Sequence, residues 1–253
     1  MGFSFCYTTP MNTTIWIISG IAILIALLLA TGWWRYVLTG YLIARVAPYE
    51  QAGSGVGSIL VIGDSTGYGT GASRSSESFA GRLGADFPAF SIKNDSVNGR
   101  QIAGAMEVAQ NLTDTDQYDL VVLQIGANDL IAGRAAGQVA TELQQLIETV
   151  IPHTKQIVVV SAGNIGATAL FTGKEAEDLE ASSRLFDQQM QQLDDSYDQV
   201  AFVSLFDEPA DDPFVQQPEK YTSIDDLHPT SVGYEIWYNK SKPAFKAVLD
   251  DSQ

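Results

Sequence analysis

Cysteine and histidine are the scarcest chemistry in this chain: Cys6 is its only cysteine, and His153 and His228 are its only two histidines in 253 residues. One cysteine excludes an intrachain disulfide, and so few nitrogen and sulfur donors argue against a zinc site. Positive charge is scarce too, with 14 Lys plus Arg against 30 Asp plus Glu and a formal net charge of −16. From residue 51 onward the balance is 12 to 29. Such a surface repels nucleic acid and anionic headgroups, so binding through a basic patch is disfavoured. Asp207, Asp211 and Asp212 lack the spacing of a calcium loop and read as a solvated loop. No metal and no cofactor is expected.

What is present begins with a run that carries no charge. From Ile15 to Trp34 twenty residues pass without one, long enough for a hydrocarbon core of about 30 Å. The first fourteen residues hold no Lys or Arg and no clear A-x-A site follows the run, which favours an uncleaved anchor over a signal peptide. Trp33, Trp34 and Tyr36 fall where an interfacial aromatic belt would sit. Arg35 and Arg45 lean the rest of the chain toward the cytoplasmic face, on a count of only two. Residues 35–50 read either as a membrane-surface helix or as a collar on the domain. Gln51 to Ser58 is Gly/Ser-rich and uncharged, a flexible linker by composition. The expected organisation is therefore a short segment 1–14, a membrane helix 15–34, a juxtamembrane segment and linker 35–57, and one domain over 58–253.

Within that domain short apolar runs alternate with helix-length segments: Ile59 to Ile62, Ala89 to Val97, Leu120 to Ile125, Ile157 to Val160 and Ala201 to Leu205. This alternation predicts βαβ units and a parallel five-stranded sheet. Val139, Leu143, Leu146, Ile147 and Val150 form a helical stripe, and Leu179, Phe186, Met190 and Leu193 a second. A last helix follows Pro229 and is expected to kink or end at Pro243.

The polar residues that stand out lie just past strand ends. Ser65 follows the first run in Gly63-Asp64-Ser65, Gly99 follows the second in Ser96-Val97-Asn98-Gly99, and Asn128 follows the third in Gly126-Ala127-Asn128-Asp129. Asp225 and His228, in Asp225-Asp226-Leu227-His228-Pro229, follow the fifth. In an open parallel sheet ligands bind outside the carboxyl ends of the strands, so separate blocks converge on one edge. A serine, a histidine and a carboxylate are the parts of an activated nucleophile. His153 falls at the opposite edge and reads as structural, while Asp129 is expected to cap the helix that follows it.

These blocks, in this order, resemble the SGNH hydrolases, the GDSL-type esterases and lipases, over roughly Ser58 to Phe245. The resemblance implies a flavodoxin-like three-layer α/β/α sandwich. It also implies Ser65 as nucleophile, His228 as base and Asp225 as the carboxylate that orients it. The oxyanion hole would be the Ser65 N–H, the Gly99 N–H and the Asn128 side-chain amide. Thr66 departs from the family's usual leucine at a position without a chemical role. The implied activity is hydrolysis of a carboxylic ester through an acyl-enzyme, with a small-molecule, lipid or glycan ester as partner, as in a lysophospholipase, thioesterase or carbohydrate acetylesterase. Acyl transfer to an envelope sugar would use the same residues.

Two other patterns compete. Gly63 to Gly67 matches the G-x-S-x-G elbow of the α/β-hydrolases, but there several strands precede the serine. Gly67 to Ala72 matches a dinucleotide fingerprint, with Asp95 downstream, but Asp64 and Ser65 stand where its first glycine belongs. Neither that reading nor a non-catalytic domain accounts for Asn128 and the Asp225 to His228 segment.

Overall fold

The computed structural model describes residues 13–30, 32–194 and 196–249. Cys6 and most of segment 1–14 lie outside them, as do the side chains of Arg35 and Leu193. Two helices come first, α1 (Thr13–Ala30) and α2 (Trp33–Arg45). There follow β1 (Gly57–Gly63), α3 (Ser65–Tyr68), α4 (Phe79–Asp86), β2 (Phe90–Ser96), α5 (Ile102–Gln110) and β3 (Tyr118–Gln124). Next come α6 (Ala127–Ile131), α7 (Ala136–Val150), β4 (Thr154–Val160), α8 (Gly173–Asp194) and β5 (Val200–Val203). The short helices α9 (Pro213–Gln216) and α10 (Pro218–Tyr221) lead into α11 (Ser231–Leu249).

The five strands pair in parallel in the order β2-β1-β3-β4-β5, the flavodoxin-like arrangement. Successive residues of a strand face opposite sides, so β1 feeds two cores at once. Leu60 and Ile62 pack with residues of α5, α7 and α8. Ile59 and Val61 pack with Phe79, Leu83, Tyr234 and Phe245 of α4 and α11. The chain leaves β1 for β2 on one side and returns past it to β3 on the other. The carboxyl ends of β1 and β3 therefore flank the point where strand order reverses.

Local expectations meet three differences. First, the uncharged run is two helices rather than one. Gly32 takes φ 72 between them, and Trp33 and Trp34 open α2. Second, α11 continues through Pro243. A mid-helix proline costs about 3 kcal/mol, but Tyr238, Phe245 and Leu249 on either side of it are buried against the sheet. Third, the Gly/Ser-rich stretch expected as a flexible linker carries hydrogen bonds to the sheet edge. Gln51 exchanges backbone bonds with Ile92 at 3.1 and 2.8 Å, and Ser54 N–H donates to the Ala89 carbonyl at 2.9 Å. Gly53 has φ +64, and a Cβ there would lie 2.4 Å from the Phe90 backbone, so glycine answers a close approach of two chains.

The α1 helix has a mean hydropathy of 2.5, and none of its residues is buried; among the described residues it is the one helix long and apolar enough to cross a membrane.

Candidate active site

Close packing at the end of β1 sets the serine. A Cβ on Gly63 or Gly67 would lie 2.8 or 2.6 Å from Ser96 Oγ, so both glycines let the β1–α3 corner press onto β2. Asp64 caps α3: its buried Oδ1 accepts Thr66 N–H at 2.9 Å and Thr66 Oγ1–H at 2.8 Å. Burial pushes the Asp64 carboxyl up from the usual range, against the pull of the Thr66 bonds. Ser65 then occupies the first position of α3, and its Oγ lies 2.8 Å from His228 Nε2.

The segment before α11 supplies the other two groups from one tight turn. Asp226 sits at φ 62, a left-handed conformation uncommon outside glycine. The turn lets Asp225 Oδ1 accept the N–H groups of Leu227 at 3.3 Å and His228 at 3.1 Å. The other oxygen, Oδ2, lies 2.6 Å from His228 Nδ1. Burial would raise the Asp225 carboxyl, yet the bonds from His228 and the backbone outweigh it and hold it below the ordinary carboxylate range. Asp225 and His228 are both buried, at 1% and 5% exposure. Ser65, His228 and Asp225 thus form one continuous chain of hydrogen bonds, able to pass the serine proton to an oriented imidazole.

The three expected anion donors differ in their state. Ser65 N–H and Gly99 N–H have no partner among the described residues. Gly99 turns at φ +76, and its loop is tied to the serine loop where Thr70 Oγ1 donates to Asn98 Oδ1 at 2.5 Å. The Asn128 amide already donates to Asp64 Oδ2 at 3.3 Å and to the Arg100 carbonyl at 3.2 Å. Asp129, the third residue of α6, does not cap that helix. Its fully buried carboxylate accepts the Ile102 N–H at the start of α5 at 3.0 Å and pairs with Arg134 at 2.6 Å.

Ser65, Asn128 and His228 open on a cleft whose apolar walls are Ile165, Leu205, Phe214 and Trp237. Gly99 is not among its lining residues, whereas Asp207 and the buried Asp212 are. Desolvation pushes the Asp212 carboxyl up.

The family model described as GDSL-like Lipase/Acylhydrolase matches residues 61–236. The chain belongs to that family. Its members' ester-hydrolysing serine chemistry agrees with the arrangement above. No curated protein matches the sequence. Among solved structures, a member of the lipolytic G-D-S-L family from Veillonella parvula superposes with a TM-score of 0.61 at 17% identity, covering 75% of this chain and 98% of that one. Esterase EstA from a Pseudoalteromonas species gives 0.55 at 18%, covering 76% and 98%. An acetylxylan esterase from Geobacillus stearothermophilus gives 0.54 at 18%, covering 77% and 96%. At these identities the likeness is one of fold.

His153 lies at the amino end of β4, its Nδ1 3.3 Å from the Asp116 carbonyl, at the opposite edge of the sheet from Ser65. Two residues at the candidate site escaped the sequence reading. Thr66, set aside as chemically idle, holds Asp64 through its hydroxyl. Thr39 of α2 donates to Asp225 Oδ2 at 3.1 Å across 186 residues of sequence, a contact without local signal.

Proposed function

We propose that this chain is a membrane-anchored serine esterase that hydrolyses carboxylic esters of apolar acyl groups. The observation that carries the reading is the unbroken relay from Ser65 Oγ through His228 to Asp225, at 2.8 and 2.6 Å, at the mouth of an apolar cleft. His228 Nε2 takes the proton as Ser65 Oγ bonds to the ester carbonyl carbon. The carbonyl oxygen becomes an oxyanion, held by the Ser65 and Gly99 N–H groups and by the Asn128 amide turned from its resting partners. As the tetrahedral intermediate collapses, the C–O bond to the alcohol breaks and His228 returns its proton to the leaving oxygen. Water then attacks the acyl-enzyme, giving its proton to His228, and Ser65 leaves with that proton restored. Donors fixed before reaction are often the largest single contribution to such catalysis.

Ile165, Leu205, Phe214 and Trp237 favour an apolar acyl group, and Asp207 and Asp212, which also line the cleft, disfavour an anionic one. The family's description and the esterase names of the related structures support ester hydrolysis. Anchoring rests on the length and hydropathy of α1, with Trp33, Tyr36 and Tyr41 exposed on α2 as an interfacial belt requires.

A fluorophosphonate probe should label wild-type protein at Ser65 and leave Ser65→Ala unlabelled. A panel of p-nitrophenyl esters, lysophospholipid and acetylated glycan should be hydrolysed by the first alone. Labelling at another residue, or turnover by folded Ser65→Ala, would refute the reading. The same assay run with sugar acceptors would expose transfer in place of hydrolysis.

A further inference from the structure

Helix α2 presents an inverted pattern. Leu42 is buried at 2% exposure, with Thr39 on the same face at i−3 and half-buried, and Val46, the extended residue just past the helix, is buried at 7%. The opposite side carries exposed Trp33, Tyr36, Val37 and Tyr41. A helix surrounded by water would not expose four such side chains while turning a threonine inward. Thr39 and the two apolar residues therefore dock α2 on the hydrolase domain, and the polar member of that face meets a carboxylate.

That carboxylate is Asp225. Its Oδ1 accepts two backbone N–H groups, and its Oδ2 lies between the His228 ring and the Thr39 hydroxyl. With two partners on each oxygen the group cannot turn about its last side-chain bond without losing one. Without Thr39, Oδ2 would keep only the histidine, and a buried lone pair would be left unmatched. Bonds to an ionised acceptor are the stronger ones, so this contact bears directly on how firmly the imidazole is held.

We propose that Thr39 is a positioning residue for Asp225, so that the juxtamembrane helix completes the hydrogen-bond shell of the site it stands beside. The inference rests on the serine-esterase reading above. It makes α2 part of the working enzyme as well as the tether between membrane and domain.

The test uses the full chain in lipid nanodiscs, with an ester that wild-type protein turns over. Thr39→Val keeps the shape and removes the donor, while Thr39→Ser keeps the donor. Valine should lower kcat roughly tenfold with KM unchanged, and slow fluorophosphonate labelling of Ser65 by a similar factor. Serine should recover kcat to within about threefold of wild type. Thr39→Ala should repeat the valine result if the valine chain proves unstable. Wild-type kcat and labelling rate in Thr39→Val, or equal losses in the valine and serine variants, would overturn the proposal. Ser65→Ala in the same nanodiscs separates the two ideas. If it is inactive while Thr39→Val is normal, only the role of Thr39 falls; if it is active, the esterase reading falls.

Discussion

The two histidines stand at opposite edges of one sheet, and their surroundings differ in kind. At the amino edge polar groups satisfy one another: His153 meets the Asp116 carbonyl, and Asp119 pairs with Lys155 at 2.6 Å while accepting the Ser58 N–H at 2.8 Å. At the carboxyl edge His228 joins Ser65 to Asp225, and the N–H groups of Ser65 and Gly99, each past the end of a strand, have no partner among the described residues. Strand polarity explains the contrast. Each strand of a parallel sheet delivers the chain at its carboxyl end to the start of a helix or turn, where backbone donors are not yet used by the helix itself. The same residue type thus meets a backbone carbonyl at one edge and, on the proposed reading, serves as a base at the other.

The largest effects should follow from breaking the carboxyl edge. Ser65→Ala or His228→Ala should lower turnover by roughly a thousandfold or more, while His153→Ala should stay within about twofold of wild type. Steady-state kinetics on folded variants, checked by circular dichroism, decide the matter. A His153→Ala chain as impaired as His228→Ala would erase the contrast.

Asn128→Ala tests the side-chain anion donor. One such donor is worth about a hundred- to a thousandfold in turnover in other enzymes, and KM should barely move because the charge exists only in the transition state. Its resting bonds to Asp64 and Arg100 give the experiment an edge. A fall in thermal stability with normal kcat would mean that Asn128 braces the corner and binds no oxyanion. Asp129 should behave differently: Asp129→Asn weakens the pairing of a buried carboxylate with the half-buried Arg134 and the cap on α5, so it should lower the melting temperature more than kcat.

How much of this was legible in sequence follows from what sequence patterns encode. All five strands were visible as apolar runs, but β4 starts at Thr154 and not at Ile157, because Thr154, Lys155 and Gln156 are polar residues at a strand's entry. Ser65, Asp225 and His228 could be read because each lies in a short block just past a strand. The partners of Asn128 and Asp129 could not, since they depend on how α5 and the β1–α3 corner meet. Composition called residues 51–58 a linker, yet backbone pairing of Gln51 with Ile92 is invisible to composition. Thr39 is the extreme case, a single hydroxyl meeting its acceptor only in the folded chain.

Removing the amino-terminal helices should have an intermediate effect. A chain beginning at Gln51 retains the sheet-edge bonds of Gln51 but loses Thr39 and α1. It should leave the membrane fraction and show about the tenfold drop in kcat expected of Thr39→Val. Undiminished turnover would place α2 outside the working site, and retention in carbonate-washed membranes would place the anchor elsewhere.

The smallest effect belongs to the amino edge. Burial raises the Asp119 carboxyl, but the Lys155 ammonium and the Ser58 N–H outweigh it, so its folded value lies below the reference of 3.8. A depressed carboxylate stabilises the fold above its unfolded value and loses that contribution as pH falls through the folded one. Lys155 is 72% exposed, so solvent screens the pair and limits it to about 0–1 kcal/mol. Asp119→Asn can keep the Ser58 bond through its amide oxygen while giving up the ion pair. Urea unfolding should therefore show a small loss at pH 7 that shrinks toward zero below pH 3.8, with ester turnover at pH 7 unchanged. A loss of turnover matching the loss of stability would mean that the two edges are coupled through the sheet, and the division between structural and reactive histidines would have to be redrawn.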